Sequence, residues 1–316
     1  MTLTSENLKG MWAGLPVPWN NQDQLDERAL RENVRRVCNI GAHGVYTHGT
    51  TGEFYAQTFE EWQQVAQATI EECRKLGTPT QVGCTALWTS EVIRKAIFAQ
   101  EIGTDGIQLA FPFWLSLTDS EAVKFLKDVS SAVPEMPIIL YNTARSKKPL
   151  TPDLLKCILK EDIPIIGCKG VGNEEELRIF QEIAPQMKIF VGEPQLAEWW
   201  GLGARGAYSS LIYTCPRLML RYFDLCEKGE SKANQIADGL KRIHSSFVKP
   251  LAKEGFTDTA FDRVFAAATG FLTGPLLSSR PPYRMPTMED VDFLRRCSNE
   301  FFPELLEKTK DVVAVS

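Results

Sequence analysis

The apolar positions of this chain fall into short runs of strand length separated by longer stretches with helical spacing, and the alternation recurs about eight times. The runs lie at 12–16 (WAGLP), 43–47 (HGVYT), 80–84 (TQVGC), 106–110 (GIQLA), 137–141 (PIILY), 164–168 (PIIGC), 188–191 (KIFV) and 206–210 (GAYSS). Helix-start signals stand between them. Thr58 with Glu61, Thr118 with Glu121 and Asn173 with Glu176 have capping-box spacing, and Thr151 precedes a Pro152 suited to the first helical position. Eight βα units without a strong linker predict the α/β class and a closed parallel (β/α)8 barrel over residues 1–228. Residues 229–316 lack strand runs. They predict a three-helix extension of the same domain, near 231–252, 257–272 and 287–309, broken by Gly255 and the segment GPLLSSRPPYRMP.

In such a barrel the chemistry gathers at the C-terminal ends of the strands, so the polar residues just beyond each apolar run are the candidates. The second run leads into Gly49-Thr50-Thr51-Gly52-Glu53. Its glycines let a ligand approach the backbone, and its hydroxyls and N–H groups suit a carboxylate; the alternative is an ordinary glycine turn. The fifth run ends in Tyr141, followed by Asn142, Thr143, Ala144 and Arg145. A tyrosine there either moves protons or plugs the barrel mouth. The sixth run ends in Lys169. A lysine finishing so apolar a strand is costly to bury as an ammonium, and the neutral amine is the form that attacks a ketone. The alternative is a lysine that merely snorkels from a strand end. The segment Gly201-Leu202-Gly203-Ala204-Arg205-Gly206 matches GxGxxG, but it follows a helical stretch and precedes a strand, the reverse of a dinucleotide site.

Composition narrows the classes further. A net charge of −5 with scattered lysines and arginines argues against nucleic acid as a partner. The start MTLTSENLKGMW has no signal-peptide pattern and no run has the length of a membrane helix, so the expectation is a cytoplasmic protein that does not engage a membrane. The cysteines at 38, 73, 84, 157, 168, 215, 226 and 297 are widely spaced without CxxC, which predicts reduced thiols. His43 and His48 are five apart, a spacing that sends strand side chains to opposite faces, and no metal site is expected.

Several motifs together resemble the dihydrodipicolinate synthase and N-acetylneuraminate lyase family of Schiff-base aldolases: GTTGE at 49–53, YN at 141–142, GCKG at 167–170, VGEP at 191–194 and the late RPPYRMP. The resemblance covers most of the chain. It implies a Schiff-base lysine at Lys169, a general acid/base tyrosine at Tyr141, a substrate-carboxylate site at Thr50 and Thr51 beside Gly49, and a homotetramer. It implies pyruvate or another 2-oxo acid and an aldehyde as small-molecule partners, with no cofactor. Three positions depart from the synthases of that family. Their second relay tyrosine is replaced in Phe111-Pro112-Phe113-Trp114, Arg145 stands one position early for their carboxylate-binding arginine, and Val17-Pro18-Trp19 lacks their hydroxyl.

The stretch from Trp114 to Tyr141, EEW at 60–62 and AYSS at 207–210 look closest to the branch of hydratase-aldolases that cleave aryl-substituted benzylidenepyruvates. Trp19, Trp88, Phe111, Phe113, Trp114 and Tyr208 then become candidates for an aromatic pocket, with core packing as the alternative for Trp88 and Phe111. The expected activity is class I cleavage of an aryl-substituted 2-oxo acid to pyruvate and an aldehyde. Dihydrodipicolinate synthesis, aldol cleavage or dehydration of a 2-keto-3-deoxy sugar acid, and a non-catalytic 2-oxo-acid-binding barrel are the rival readings.

Overall fold

Eight parallel strands pair in sequence order and close on themselves in the computed structural model, which describes residues 2–306. They are β1 (Gly10–Gly14), β2 (Gly44–Thr47), β3 (Thr80–Gly83), β4 (Gly106–Leu109), β5 (Ile138–Tyr141), β6 (Ile165–Lys169), β7 (Lys188–Val191) and β8 (Ala204–Ser209), with β8 pairing back onto β1. The outer layer is α1 (Glu27–Asn39), α2 (Phe59–Leu76), α3 (Thr89–Glu101), α4 (Asp119–Ala132), α5 (Pro152–Ile158), α6 (Glu174–Ile183), α7 (Leu196–Trp199) and α8 (Pro216–Glu227). The fold is the (β/α)8 barrel expected from the alternation.

Most strands start within a residue or two of their apolar runs, and the exceptions have local causes. Gly10 opens β1 two residues before the run, at φ +104, where an added Cβ would lie 2.2 Å from the His43 Cγ. That position admits only glycine, and hydropathy cannot see it. His43 precedes β2 and accepts the Met11 N–H on its Nδ1 at 3.2 Å. His48 follows β2 in a left-handed conformation, so the two histidines do not share a strand. Thr58 and Thr118 form the expected capping boxes with Glu61 and Glu121. Asn173 caps α6 through the Glu176 N–H, but the Glu176 carboxylate turns to the Gly172 N–H instead of closing the box.

Two apolar compartments hold the barrel. Inside the strands, Leu3, Leu8, Trp12, Ile139 and Phe190 pack together with Ile166 and Tyr208 against them. A larger core joins the outer strand faces to the helices.

The C-terminal region contributes α9 (Lys232–Ile243), a π-helical turn at His244–Val248, α10 (Lys249–Lys253), α11 (Asp258–Ala267) and α12 (Met288–Phe301). The first expected helix is thus interrupted by a wider turn just before Pro250, which has no N–H to give; the Ser246 carbonyl accepts from Cys297 Sγ at 3.6 Å instead. The second is shorter than its hydrophobic pattern, stopping before Gly270 at φ +75. The third gives way to a 3-10 turn at Pro303–Leu305, and the end of its expected span, 307–309, lies outside the described residues.

Candidate active site

Tyr141 and Lys169 end adjacent strands and are direct partners in the β5–β6 register. The Lys169 Nζ lies 4.4 Å from the centroid of the Tyr141 ring, 5.0 Å from that of Tyr208 and 5.9 Å from that of Tyr46. Three π faces therefore hold the amine, an attraction that orients it without the hydrogen-bonded partner a salt bridge would impose. The Lys169 charge holds the Tyr141 phenol below its ordinary range against the effect of burial, and Arg145 adds to it. A phenol displaced in that direction gives up its proton more readily. The neighbouring Asn142 is structural: its N–H donates to the Lys169 carbonyl at 2.8 Å and its Oδ1 accepts the Leu150 N–H at 3.1 Å, which fixes the loop after β5.

A cavity of about 230 Å³ opens beside this pair, lined by Tyr46, Thr50, Tyr141 and Arg145 and by the rings of Phe54, Tyr55, Phe113 and Tyr283. Lys169 does not line it directly but meets it across Tyr141 and Tyr46. The rings interlock edge to face, Phe54 with Phe113 at 6.3 Å and Tyr55 with both Phe54 and Tyr283 at 5.7 Å.

The GTTGE turn is held in strained backbone at both ends, with His48 at φ +60 and Glu53 at φ +53. Non-glycine residues adopt that region at a cost, so the surroundings must enforce it. Glu53 shows how. Its buried carboxylate pairs with the fully buried Arg263 of α11 and accepts the Trp19 indole N–H at 2.8 Å and the Arg280 N–H at 3.0 Å. Gly49 is required beside Tyr46, because a Cβ there would lie 2.4 Å from the Tyr46 ring. Among the described residues the Thr50 and Thr51 N–H groups have no hydrogen-bond acceptor, so both remain available to an anion.

The two threonine side chains part company. Thr50 lines the cavity, and its carbonyl accepts from the Thr259 hydroxyl at 2.9 Å. Thr51 donates its hydroxyl to Asp262 of α11. Burial pushes the Asp262 carboxyl up to about 7, against the hydrogen bonds from Thr51 and Ser210. Tyr55 lies 3.1 Å from the Thr259 hydroxyl. Because Thr259 spends its one hydrogen on the Thr50 carbonyl, Tyr55 is the donor in that pair, and its hydroxyl has no further hydrogen to give a ligand.

The structure brings together Lys169, Tyr141, Thr50, Gly49, Arg145 and Phe113 of the residues singled out from the sequence, with Thr51 just behind. The others sit elsewhere. Trp114 is 75% exposed, its ring under the Lys147 ammonium and away from the cavity lining, which Phe113 occupies instead. The strand-end loop turns at that point, so the ring one position earlier faces inward. Tyr208 lies within the barrel beside Lys169, packs on Tyr46 and Phe190, and donates its hydroxyl to Gln81 at 2.6 Å. Trp19 is spent on Glu53, Trp88 is exposed at the start of α3, and Phe111 packs on Phe125 in the core. Phe54 and Tyr55 directly follow the GTTGE turn and Tyr283 lies in RPPYRMP, so their motifs were in view; nothing local marked Thr259 or Asp262. Among the described residues no group of three or more His, Cys, Asp or Glu is placed to hold a metal, and no helix is long and apolar enough to cross a membrane.

Comparison with known proteins agrees with the closed barrel. The model of the dihydrodipicolinate synthetase family matches residues 7–257. A 4-hydroxy-tetrahydrodipicolinate synthase of Thermus thermophilus is 28% identical over 96% of this chain and 99% of its own length. A trans-O-hydroxybenzylidenepyruvate hydratase-aldolase of Pseudomonas aeruginosa is 32% identical over 90% of this chain and 89% of its own. In fold, the chain is similar to YagE, a prophage protein of the dihydrodipicolinic acid synthase family from E. coli K12 solved in complex with pyruvate, at a TM-score of 0.83 and 20% identity over 93% of this chain and 98% of that one.

Proposed function

From the premise that the chain belongs to the dihydrodipicolinate synthetase family of Schiff-base, pyruvate-dependent lyases, we propose that it cleaves an aryl-substituted 2-oxo acid to pyruvate and an aldehyde. The observation that carries the reading is the cavity wall of Phe54, Tyr55, Phe113 and Tyr283 beside the Tyr141–Lys169 pair. A ring buried there gains roughly 25 cal/mol per Å² of apolar area, whereas a polyol chain leaves hydroxyls poorly paired against the same surfaces.

In this reading the Thr50 and Thr51 N–H groups hold the substrate carboxylate and the Lys169 amine adds to the keto carbon. Loss of water leaves an iminium. With a benzylidenepyruvate, water adds to the β-carbon of the conjugated iminium, and protonation of the resulting enamine at C3 restores the iminium, now as the 4-hydroxy adduct. Removal of the hydroxyl proton then breaks the C3–C4 bond, the aldehyde leaves, and the bonding electrons pass into the iminium as an enamine. Protonation at C3 and hydrolysis release pyruvate. Tyr141 handles the protons, a role its displaced phenol suits. The homotetramer implied by the resemblance belongs to the proposal and is checked by sedimentation.

The test compares kcat/KM for a benzylidenepyruvate, for aspartate semialdehyde with pyruvate, and for a 2-keto-3-deoxy sugar acid. The aryl substrate is expected to win by about tenfold or more, equivalent to about 1.4 kcal/mol. A tenfold win by either rival overturns the aryl reading and leaves the lysine chemistry intact.

A further inference from the structure

Arg145 is the one cationic side chain among the described residues lining the cavity, and it does not face the cavity as a free charge. Its Nη2 lies 2.7 Å from Asp258 Oδ2, the first residue of α11. Both side chains are about half exposed, at 56% and 54%, so water screens the pair and it adds little to stability. Asp258 also suits the positive end of α11, which accounts for an acid there but not for its seat against a cavity arginine. The consequence of the pair falls on the ligand. A bare guanidinium lining a 2-oxo-acid cavity is a bidentate receptor for a second carboxylate. With Asp258 occupying it, the rim is neutral, and an incoming anion must displace one carboxylate from Arg145 while facing its charge.

We propose that Asp258 is a specificity-determining residue that neutralises Arg145 and so turns the Arg145 side of the cavity against substrates with a second negative charge. The inference deepens the aryl reading above, since an unsubstituted ring is neutral where aspartate semialdehyde carries a carboxylate. The aromatic part of the wall agrees. Phe54, Phe113 and Tyr283 are uncharged, and Tyr55 gives its one hydroxyl hydrogen to Thr259, leaving none for a carboxylate.

The test needs no knowledge of the natural aldehyde. Borohydride trapping on Lys169 is titrated with 2-oxoglutarate and 2-oxoadipate, and with 2-oxopentanoate and 2-oxohexanoate, which have the same chain lengths without the second carboxylate. The readout is the ratio of half-saturating concentrations within each length-matched pair. Asp258→Asn is expected to shift at least one ratio toward the dianion by about fivefold or more, Asp258→Glu to keep the wild-type ratio, and Asp258→Asn combined with Arg145→Met to abolish the gain. Added salt should shrink the wild-type discrimination, because the pair is solvent-exposed. Asp258→Ser serves in place of the asparagine variant if that fails to fold. Ratios that move less than about fivefold in the charge-removing variant, or that move equally without Arg145, overturn the proposal. A shifted ratio in an enzyme that cleaves no aryl substrate would support the role of Asp258 and refute the aryl reading alone.

Discussion

The Tyr141 ring and the Lys169 ammonium meet at 4.4 Å on residues that are direct partners across β5 and β6. The pairing puts the phenol proposed to move protons beside the amine proposed to form the imine, and it places the lysine charge where it draws the phenol downward. Tyr141→Phe removes only the hydroxyl. Turnover is expected to fall about 10²- to 10⁴-fold, with circular dichroism unchanged and borohydride trapping of pyruvate still possible. Near-normal turnover would assign Tyr141 to packing.

Asp262 supplies a pH dependence. Burial raises its carboxyl to about 7, so it is neutral below that pH and anionic above it. It accepts the Thr51 hydroxyl, beside the N–H groups proposed to hold the substrate carboxylate. An anion there opposes another anion by about 1 kcal/mol, roughly fivefold in affinity. The half-saturating pyruvate concentration should therefore rise as pH increases through about 7, and Asp262→Asn should flatten that rise. An inflection that persists in the variant belongs to another group.

The buried Arg263–Glu53 pair ties α11 to the GTTGE turn. Breaking such a pair leaves an uncompensated charge, so Arg263→Ala should cost about 3–5 kcal/mol in urea unfolding. Loss of pyruvate trapping is expected to accompany it, because Glu53 then loses its tie to α11 and is held in its left-handed conformation by the Trp19 and Arg280 N–H groups alone. A variant of wild-type stability would mean that water reaches the site and solvates Glu53.

Phe113 and Trp114 separate the cavity from the surface one residue apart. Phe113→Ala should raise KM for an aryl substrate about tenfold, the effect of losing roughly 1.4 kcal/mol of ring burial, while Trp114→Ala should stay within about twofold. The reverse order would mean that the loop after β4 presents Trp114 to substrate.

How far the site was legible follows from which interactions are local. IILY and IIGCK announce β5 and β6 by their apolar runs, and the strand-end rule then singles out Tyr141 and Lys169 without any long-range information. The aromatic character of the pocket was also legible, but its membership only in part: Phe113 was singled out, Phe54, Tyr55 and Tyr283 were not. Whether Phe113 or Trp114 turns inward depends on the path of a loop, which hydropathy does not encode. Asp258, Thr259 and Asp262 come from a helix whose sequence shows only amphipathic spacing; its seat over the barrel mouth is set by the buried Arg263–Glu53 contact, 210 residues apart in the chain.

The central claim is that a 2-oxo acid becomes an imine on Lys169, and borohydride trapping reads it directly, because the reagent reduces an iminium to a stable amine. Pyruvate with borohydride should add one reduced three-carbon acid to the intact protein, peptide analysis should place it on Lys169, and Lys169→Arg should abolish it. Labelling at another lysine, or no labelling with pyruvate or any other 2-oxo acid, would contradict the account.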